Sequence, residues 1–102
     1  MKMEKVTKWD PVDYLDSPEA ISAYMDAALE DGDSSLIAAV LGDIARAKGM
    51  SAIAKETGLA RENLYKSLSD KGNPELSTFL KVIKALGYHL ELKQNTNIAH
   101  AV

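Results

Sequence analysis

The sequence of 102 residues contains no cysteine, only 6% aromatic residues and no long apolar run. Without cysteine, the chain can form neither a disulfide bond nor a zinc site with thiolate ligands. Because no segment approaches the roughly 20 apolar residues of a membrane span, we expect no membrane partner. The opening residues, MKMEKVTKWDP, lack the apolar segment of a signal peptide, so we expect a cytoplasmic protein of one domain.

Recognisable signatures of catalysis are also missing. The sequence has no glycine-rich phosphate loop and no cluster of histidines and carboxylates at metal-ligand spacing. His89 falls in a short alternating segment and His100 near the C-terminus, and we interpret both as structural or incidental. We therefore predict a protein that is not an enzyme and that needs neither a cofactor nor a metal.

Charge is unevenly distributed along the chain, whose net charge is −3. Residues 1–42 carry three lysines against nine acids, whereas residues 43–102 carry nine lysines or arginines against six acids. A basic half can supply contacts to nucleic-acid phosphates. The acidic half is either solvated surface or a surface for a basic protein partner.

Capping residues divide the chain into five predicted helices. Ser17 and Pro18 suit an N-cap and a first helical position, and Gly32 and Gly49 are typical of helix C-termini. Apolar residues recur at helical spacing between these signals. The predicted helices span about 18–31, 34–48, 61–69 and 75–86. Between the second and third of these, a short helix is predicted from a cap at Ser51 to about residue 57. The helix at 75–86 is expected to bury Leu76, Phe79, Leu80, Ile83 and Leu86.

The flanking segments lack this helical pattern. Residues 1–16 are predicted to form an extended arm and residues 94–102 a flexible tail, which leaves a helical domain at 17–93. Residues 88–92 alternate apolar and polar side chains, which predicts one short half-buried strand. Because a lone strand leaves backbone groups unpaired, it must pair either with the arm or with the same strand of a second subunit.

Residues 50–69 have the pattern of a helix-turn-helix. Ala54 is small enough for a second helix to approach, and Gly58 can take the positive φ of a tight turn. Four apolar residues connect both helices to the core: Ile53, Leu59, Leu64 and Leu68. In a helix-turn-helix the second helix enters the major groove of DNA. An ordinary helical hairpin in a bundle is the alternative.

The outward positions of the second helix are the candidate DNA-binding residues. Arg61 could contact guanine, Asn63 could read adenine, and Lys66 could contact a base or a phosphate. Glu62 either accepts from cytosine or favours the helix start, and Tyr65 either stacks on the sugar-phosphate or lies against the core. Candidate phosphate contacts, whose alternative is solvated surface, are Ser51, Lys55 and Lys71.

In these motifs the sequence resembles addiction-module antidote proteins, HigA-like antitoxins with an Xre/lambda-repressor-type helix-turn-helix. The resemblance covers roughly residues 9–92. It is carried by WDPVDYL at 9–15, EAISAY at 19–24, IARAKGM at 44–50, AKETG at 54–58, RENLYK at 61–66, and GNP at 72–74 leading to KALG at 84–87.

The resemblance implies an all-α, five-helix, lambda-repressor-like domain, with the one short C-terminal strand predicted above. It also implies an antitoxin of a type II toxin–antitoxin module. Such a protein binds a RelE/ParE-like toxin, binds the double-stranded DNA of its own operator, represses the operon and forms a homodimer.

One departure weakens the expected DNA grip. Ala60 stands where family members often have serine, which would cap the recognition helix with a hydrogen bond of about 1 kcal/mol.

Toxin contacts cannot be transferred by motif. We place them in the acidic half near Trp9 and Tyr14, and the alternative is that both aromatics pack on their own core. Two other functions remain open: a helix-turn-helix regulator without a toxin, and an interaction scaffold that lacks operator binding.

Overall fold

The computed structural model describes residues 10–95. Over this range a 3-10 turn at Pro11–Tyr14 precedes five α-helices, the number that the sequence predicts. They are α1 (Pro18–Asp31), α2 (Ser34–Lys48), α3 (Met50–Thr57), α4 (Arg61–Ser67) and α5 (Leu76–Ala85). Trp9, most of the predicted arm and the end of the predicted tail lie outside the described residues.

Local capping signals account for the ends of α1 and α3. The Ser17 hydroxyl accepts a hydrogen bond from the backbone N–H of Ala20 at 3.1 Å, which caps α1 as predicted. Gly32 and Gly58 end α1 and α3 in the left-handed conformation, with φ of 84° and 76°. Glycine adopts this conformation without the steric cost that a Cβ would bring.

The start of α3 differs from the prediction, because Met50 is the first helical residue and Ser51 lies within the first turn. Gly49 has a φ of 107° and reverses the chain directly after α2. The reversal lets Met50 bury its side chain, which is 4% exposed. The assignment of Ser51 as an N-cap is therefore wrong, and its hydroxyl is available for other contacts.

The core is organised around α2, which contacts α1, α3, α4 and the 3-10 turn, while α5 packs on α3. Leu41, Ile44 and Ala45 of α2 are at most 1% exposed. The apolar residues predicted for α1 and α2 mostly lie in this core, with Tyr24 and Ile37 at its edge. Burial of such side chains stabilises the fold by about 1.5–3 kcal/mol each.

Gly42 allows α2 to approach the end of α4 closely. A Cβ built on Gly42 would overlap the backbone carbonyl oxygen of Leu68, the residue that follows α4. Leu68 is itself 4% exposed. This absence of a side chain on α2 therefore sets the position of α4.

The inward face of α5 differs from the predicted one. Val82 and Ile83 are buried, whereas Leu76 is 70% and Leu80 45% exposed. At 100° per residue, these two leucines lie roughly 90° around the helix from the centre of the buried face. The predicted burial of Leu76 and Leu80 is wrong because the buried face of α5 is centred between Val82 and Ile83.

A polar cluster fastens the first described residues to the helices. The Tyr24 hydroxyl donates to Asp43 Oδ2 at 2.6 Å, and the Arg46 guanidinium donates to Asp43 Oδ1 at 2.8 Å. The same guanidinium reaches Asp10 Oδ1 at 3.5 Å, and Asp10 also accepts from the N–H of Val12 at 3.1 Å. Residues 10–14 are thus a tethered turn, where the sequence predicts an extended arm.

The surroundings of this cluster shift the pKa values of its members. Burial and then the hydrogen bond to Asp43 raise the pKa of Tyr24, so the phenol keeps its proton. The hydrogen bond from Val12 lowers the pKa of Asp10, and Arg46 lowers it further. The hydrogen bond to Asp43 raises the pKa of Arg46, so the guanidinium keeps its charge.

The predicted strand at 88–92 is absent from residues 10–95, where these positions form neither a strand nor a helix. A strand needs a neighbouring edge to hydrogen-bond with, and the described part of this single chain offers none. Among the helices of residues 10–95, none combines the length and apolar character needed to cross a membrane.

Candidate nucleic-acid interface

Helix α4 has one buried and one exposed side. Leu64 is 1% exposed and packs into the core together with Leu68. The remaining outward side chains all belong to the predicted DNA-binding set and are exposed: Arg61, Glu62, Asn63, Tyr65 and Lys66. A seven-residue helix is too short to be stable alone in water, so the two leucines hold it in place.

The connection between α3 and α4 is short and internally bonded. Gly58 turns the chain, and the Thr57 hydroxyl donates to the carbonyl oxygen of Ile53 at 2.8 Å. The N–H of Leu59 donates in turn to the Thr57 hydroxyl at 3.3 Å. These bonds fix the direction in which the chain enters α4.

Ala60 occupies the N-cap of α4 with extended backbone angles, φ −69° and ψ 137°. No side-chain hydrogen bond caps this helix, because alanine has no acceptor atom. The first N–H groups of α4 therefore remain directed outward, beside Arg61.

Arg61 and Ser51 are brought together across the α3–α4 pair. The Nη1 of Arg61 donates to Ser51 Oγ at 2.8 Å, and both side chains are exposed. The bond connects the first turn of α3 to the first residue of α4. It restricts the arginine side chain while its other N–H donors stay available.

A shallow depression lies beside the other end of α4. Three of the candidate residues border it, namely Asn63, Lys66 and Lys71. Asn73 and Thr78 also border it and were missed by the sequence reasoning, although Asn73, between Gly72 and Pro74, marks a turn next to the helix. Glu75 contributes one acid to the same rim.

The other candidates lie apart from this depression. Tyr65 is 48% exposed and borders a different hollow, with Arg46 and Asp70 among its neighbours. Its ring is therefore half-buried. This position is intermediate between the two predicted ones, against the core and exposed for stacking on the sugar-phosphate. Lys55 and Glu62 are exposed, and within residues 10–95 no described ion pair joins them to the rest of the set.

The arrangement suits a ligand that is long and negatively charged. Guanidinium, amide and ammonium groups on one exposed helix side are the groups that contact base edges and phosphates. In residues 10–95, no group of histidines and carboxylates is placed to hold a metal ion. Over residues 10–95 the geometry therefore defines a small helical domain that presents a polar helix face on a buried scaffold.

Comparison with known proteins identifies the family. Residues 5–94 match the family described as "probable addiction module antidote protein", and the chain belongs to this family. A protein of Haemophilus influenzae named only "Uncharacterized protein" is 42% identical over 92 residues, which cover 90% of this chain and 95% of that protein. No solved structure matches the chain.

Family membership supports the resemblance to addiction-module antidote proteins that the sequence shows. An antidote of an addiction module acts against a toxin, so the family gives the chain an antitoxin role and a toxin as a partner in general.

Proposed function

We propose that this protein is the DNA-binding antitoxin of a type II toxin–antitoxin module, which neutralises a RelE/ParE-like toxin and represses its own operon. The observation that carries the proposal is the two-sided helix α4. Leu64 of α4 and Leu68 directly after it are buried, while Arg61, Asn63 and Lys66 are exposed. We interpret α3 and α4 as the two helices of a lambda-repressor-like helix-turn-helix.

In this interpretation α4 enters the major groove. Arg61 contacts a guanine through two N–H donors, and Asn63 contacts an adenine. Lys66 and Lys71 border the same depression and contact phosphates. Ser51, Lys55 and Tyr65 complete the proposed contacts to the backbone, and Glu62 accepts from a cytosine amino group.

Promoter binding is the direct test. Labelled DNA from upstream of the gene is titrated with protein and followed by fluorescence anisotropy at several salt concentrations. Because each neutralised phosphate releases counterions, we expect the affinity to fall steeply with ionic strength. The double variant Arg61→Ala, Lys66→Ala should lose specific binding while keeping the helical circular dichroism signal.

The matched control is Lys81→Ala. Lys81 is an exposed lysine on α5 that borders a different hollow, with Glu56. It should leave promoter affinity unchanged. Equal affinity in the wild type and the double variant would reject α4 as the recognition helix.

The toxin is expected to be a basic protein encoded in the adjacent reading frame. Residues 1–42 are the acidic part of the chain, and Tyr14 is 58% exposed near the start of the described residues. Charge complementarity speeds such encounters, and an aromatic residue is a frequent anchor. Co-expression of the neighbouring protein should give a stable complex, and the antitoxin should restore growth.

An interaction scaffold without operator affinity is the second candidate. It is favoured by the uncapped start of α4 and by the acid Glu75 on the rim of the depression. A toxin complex together with no promoter complex at low salt would support this scaffold. A promoter complex without any toxin would instead indicate a plain transcriptional regulator.

We also propose a homodimer that binds a palindromic operator, with half-sites about one DNA turn apart as is usual for this motif. Sedimentation of the free protein and of its DNA complex tests this directly. A monomer in both measurements would remove the dimer from the proposal.

A further inference from the structure

The segment after α5 presents apolar side chains that the described chain leaves uncovered. Leu90 is 46% and Leu92 101% exposed. Tyr88, by contrast, packs against the core, and its hydroxyl lies 3.5 Å from the carbonyl oxygen of Pro18. The segment therefore begins on the core beside α1 and carries leucines outward at alternate positions.

An apolar hollow lies beside this segment, between α1 and α5. Ile21, Met25 and Leu29 of α1 line it, together with Leu86 and Leu90. Leu29 is 38% exposed at its edge. An apolar side chain supplied from outside would bury this hollow and gain about 25 cal/mol for each Å² of apolar surface removed from water.

We infer that residues 88–92 pair in antiparallel fashion with the same residues of a second copy of this chain, with Leu90 opposite Leu90 on the two-fold axis. Leu92 of each copy then lies opposite Tyr88 of the other and covers its apolar hollow. This inference rests on the homodimer of the proposed function and names its interface.

The order of side chains selects this register. In an antiparallel pair, directly opposite residues lie on the same face, so apolar residues must face apolar ones. Centring on Leu90 places Tyr88 opposite Leu92 on one face. It places His89 opposite Glu91 on the other, where a histidine and a carboxylate hydrogen-bond.

Neighbouring registers conflict with the sequence. Centring on Glu91 places two carboxylates opposite each other and His89 opposite Lys93. Like charges in direct opposition are destabilising. Centring on Leu92 places Leu90 opposite the polar Gln94. Registers shifted by a single residue place Leu90 opposite the polar Glu91 or His89.

The absence of cysteine allows a direct test with single-cysteine variants of the full chain. Directly opposite residues have Cα atoms about 4.5–5.5 Å apart, which a disulfide bridges. Leu90→Cys should therefore crosslink to itself on mild oxidation. Two Leu92→Cys residues would lie about 13 Å apart along the strands, and should crosslink about ten-fold more slowly.

Leu76→Cys is the matched control, since Leu76 is 70% exposed and lies on α5. It should crosslink as slowly as Leu92→Cys. Faster crosslinking at residue 76 or 92 than at residue 90 would overturn the inference. Absence of crosslinking at residue 90, as expected if residues 88–92 pair within one chain, would overturn it too.

Sedimentation equilibrium supplies an independent measurement. Leu90→Lys should raise the dimer dissociation constant by about ten-fold or more, while Leu76→Lys leaves it unchanged. A wild-type monomer, or a Leu90→Lys dimer as stable as the wild type, would reject the pairing. Circular dichroism checks that each variant is folded.

Promoter titrations with the same variants separate this inference from the proposed function. If the dimer crosslinks at residue 90 but binds no promoter, the strand pairing is supported and the proposed repressor function is rejected. If the protein binds the promoter but fails to crosslink at residue 90, the strand pairing is rejected and the proposed repressor function is supported.

Discussion

The chain has two arginines, and they lie in contrasting surroundings. Arg46 forms ion pairs with Asp43 at 2.8 Å and with Asp10 at 3.5 Å, so two carboxylates compensate its charge. Arg61 donates to the neutral hydroxyl of Ser51 at 2.8 Å, which restrains the side chain, and no carboxylate of residues 10–95 forms an ion pair with it. The partners, and not the residue type, separate an arginine that fastens the fold from one that can bind an anion.

The largest expected effect is on DNA binding by Arg61. Arg61→Ala should lower promoter affinity by about 50-fold, since a bidentate contact to guanine is worth about 1–3 kcal/mol. The melting temperature should hardly change because the side chain is exposed. Anisotropy titration measures the promoter affinity, and thermal melting measures the melting temperature. If Arg46→Ala weakened promoter binding as much, the contrast between the arginines would disappear.

The second prediction concerns the scaffold under α4. Gly42→Ala should destabilise the protein by about 2 kcal/mol, because the new Cβ overlaps the Leu68 carbonyl oxygen and forces α2 and α4 apart. Alanine forms helices better than glycine, so intrinsic helix propensity alone predicts that the variant is more stable than the wild type. Urea denaturation distinguishes the two expectations. A variant more stable than the wild type would show that α2 and α4 can move apart without a loss of stability.

The third prediction tests the fastening role of Arg46. Arg46→Ala should lower the free energy of unfolding by about 1 kcal/mol, the scale of partly exposed ion pairs and their hydrogen bonds. Promoter affinity should remain that of the wild type, because the cluster with Tyr24 and Asp43 contacts α1 and the 3-10 turn. An unfolding free energy equal to that of Arg61→Ala would contradict this role.

A smaller gain is expected at the start of α4. Ala60→Ser introduces an acceptor at an N-cap whose backbone is already extended, and should stabilise the protein by about 0.5 kcal/mol. Promoter affinity should rise slightly, since the helix that carries Arg61 frays less. Ala60→Gly, which adds no acceptor, is the control for the backbone.

The smallest effect is the acid-pH dependence from Asp10. The N–H of Val12, and then Arg46, lower its pKa from the ordinary 3.8, so the group stabilises the folded state at higher pH. That contribution is lost as pH falls through the lowered pKa. Between about pH 5 and pH 3 the wild type should lose more stability than Asp10→Asn, which keeps the acceptor for Val12. Parallel melting curves would exclude this contribution.

Local signals in the sequence are enough to predict the helices. Ser17, Gly32 and Gly58 act at the positions where their residue types predict a cap or a turn. Burial of Leu64 beneath exposed neighbours also follows from helical spacing. These features depend on residues a few positions apart, which is the range that a sequence pattern reports.

Long-range contacts account for what the sequence did not predict. The bond of Ser51 to Arg61 and the approach of Gly42 to Leu68 join residues on different helices. Asp10 is tethered to Arg46, 36 positions away, where an extended arm is expected. The strand at 88–92 depends on an edge to pair with, which no property of those five residues supplies.

The division between the two leucines that hold α4, Leu64 within it and Leu68 directly after it, and the five side chains that face outward has an evolutionary consequence. Replacement of the outward group leaves the packed interior untouched, so target preference can diverge between gene copies without loss of folding. Under the proposed function, a cell that carries several such modules can keep their operators distinct by exchanging a few surface residues on one short helix.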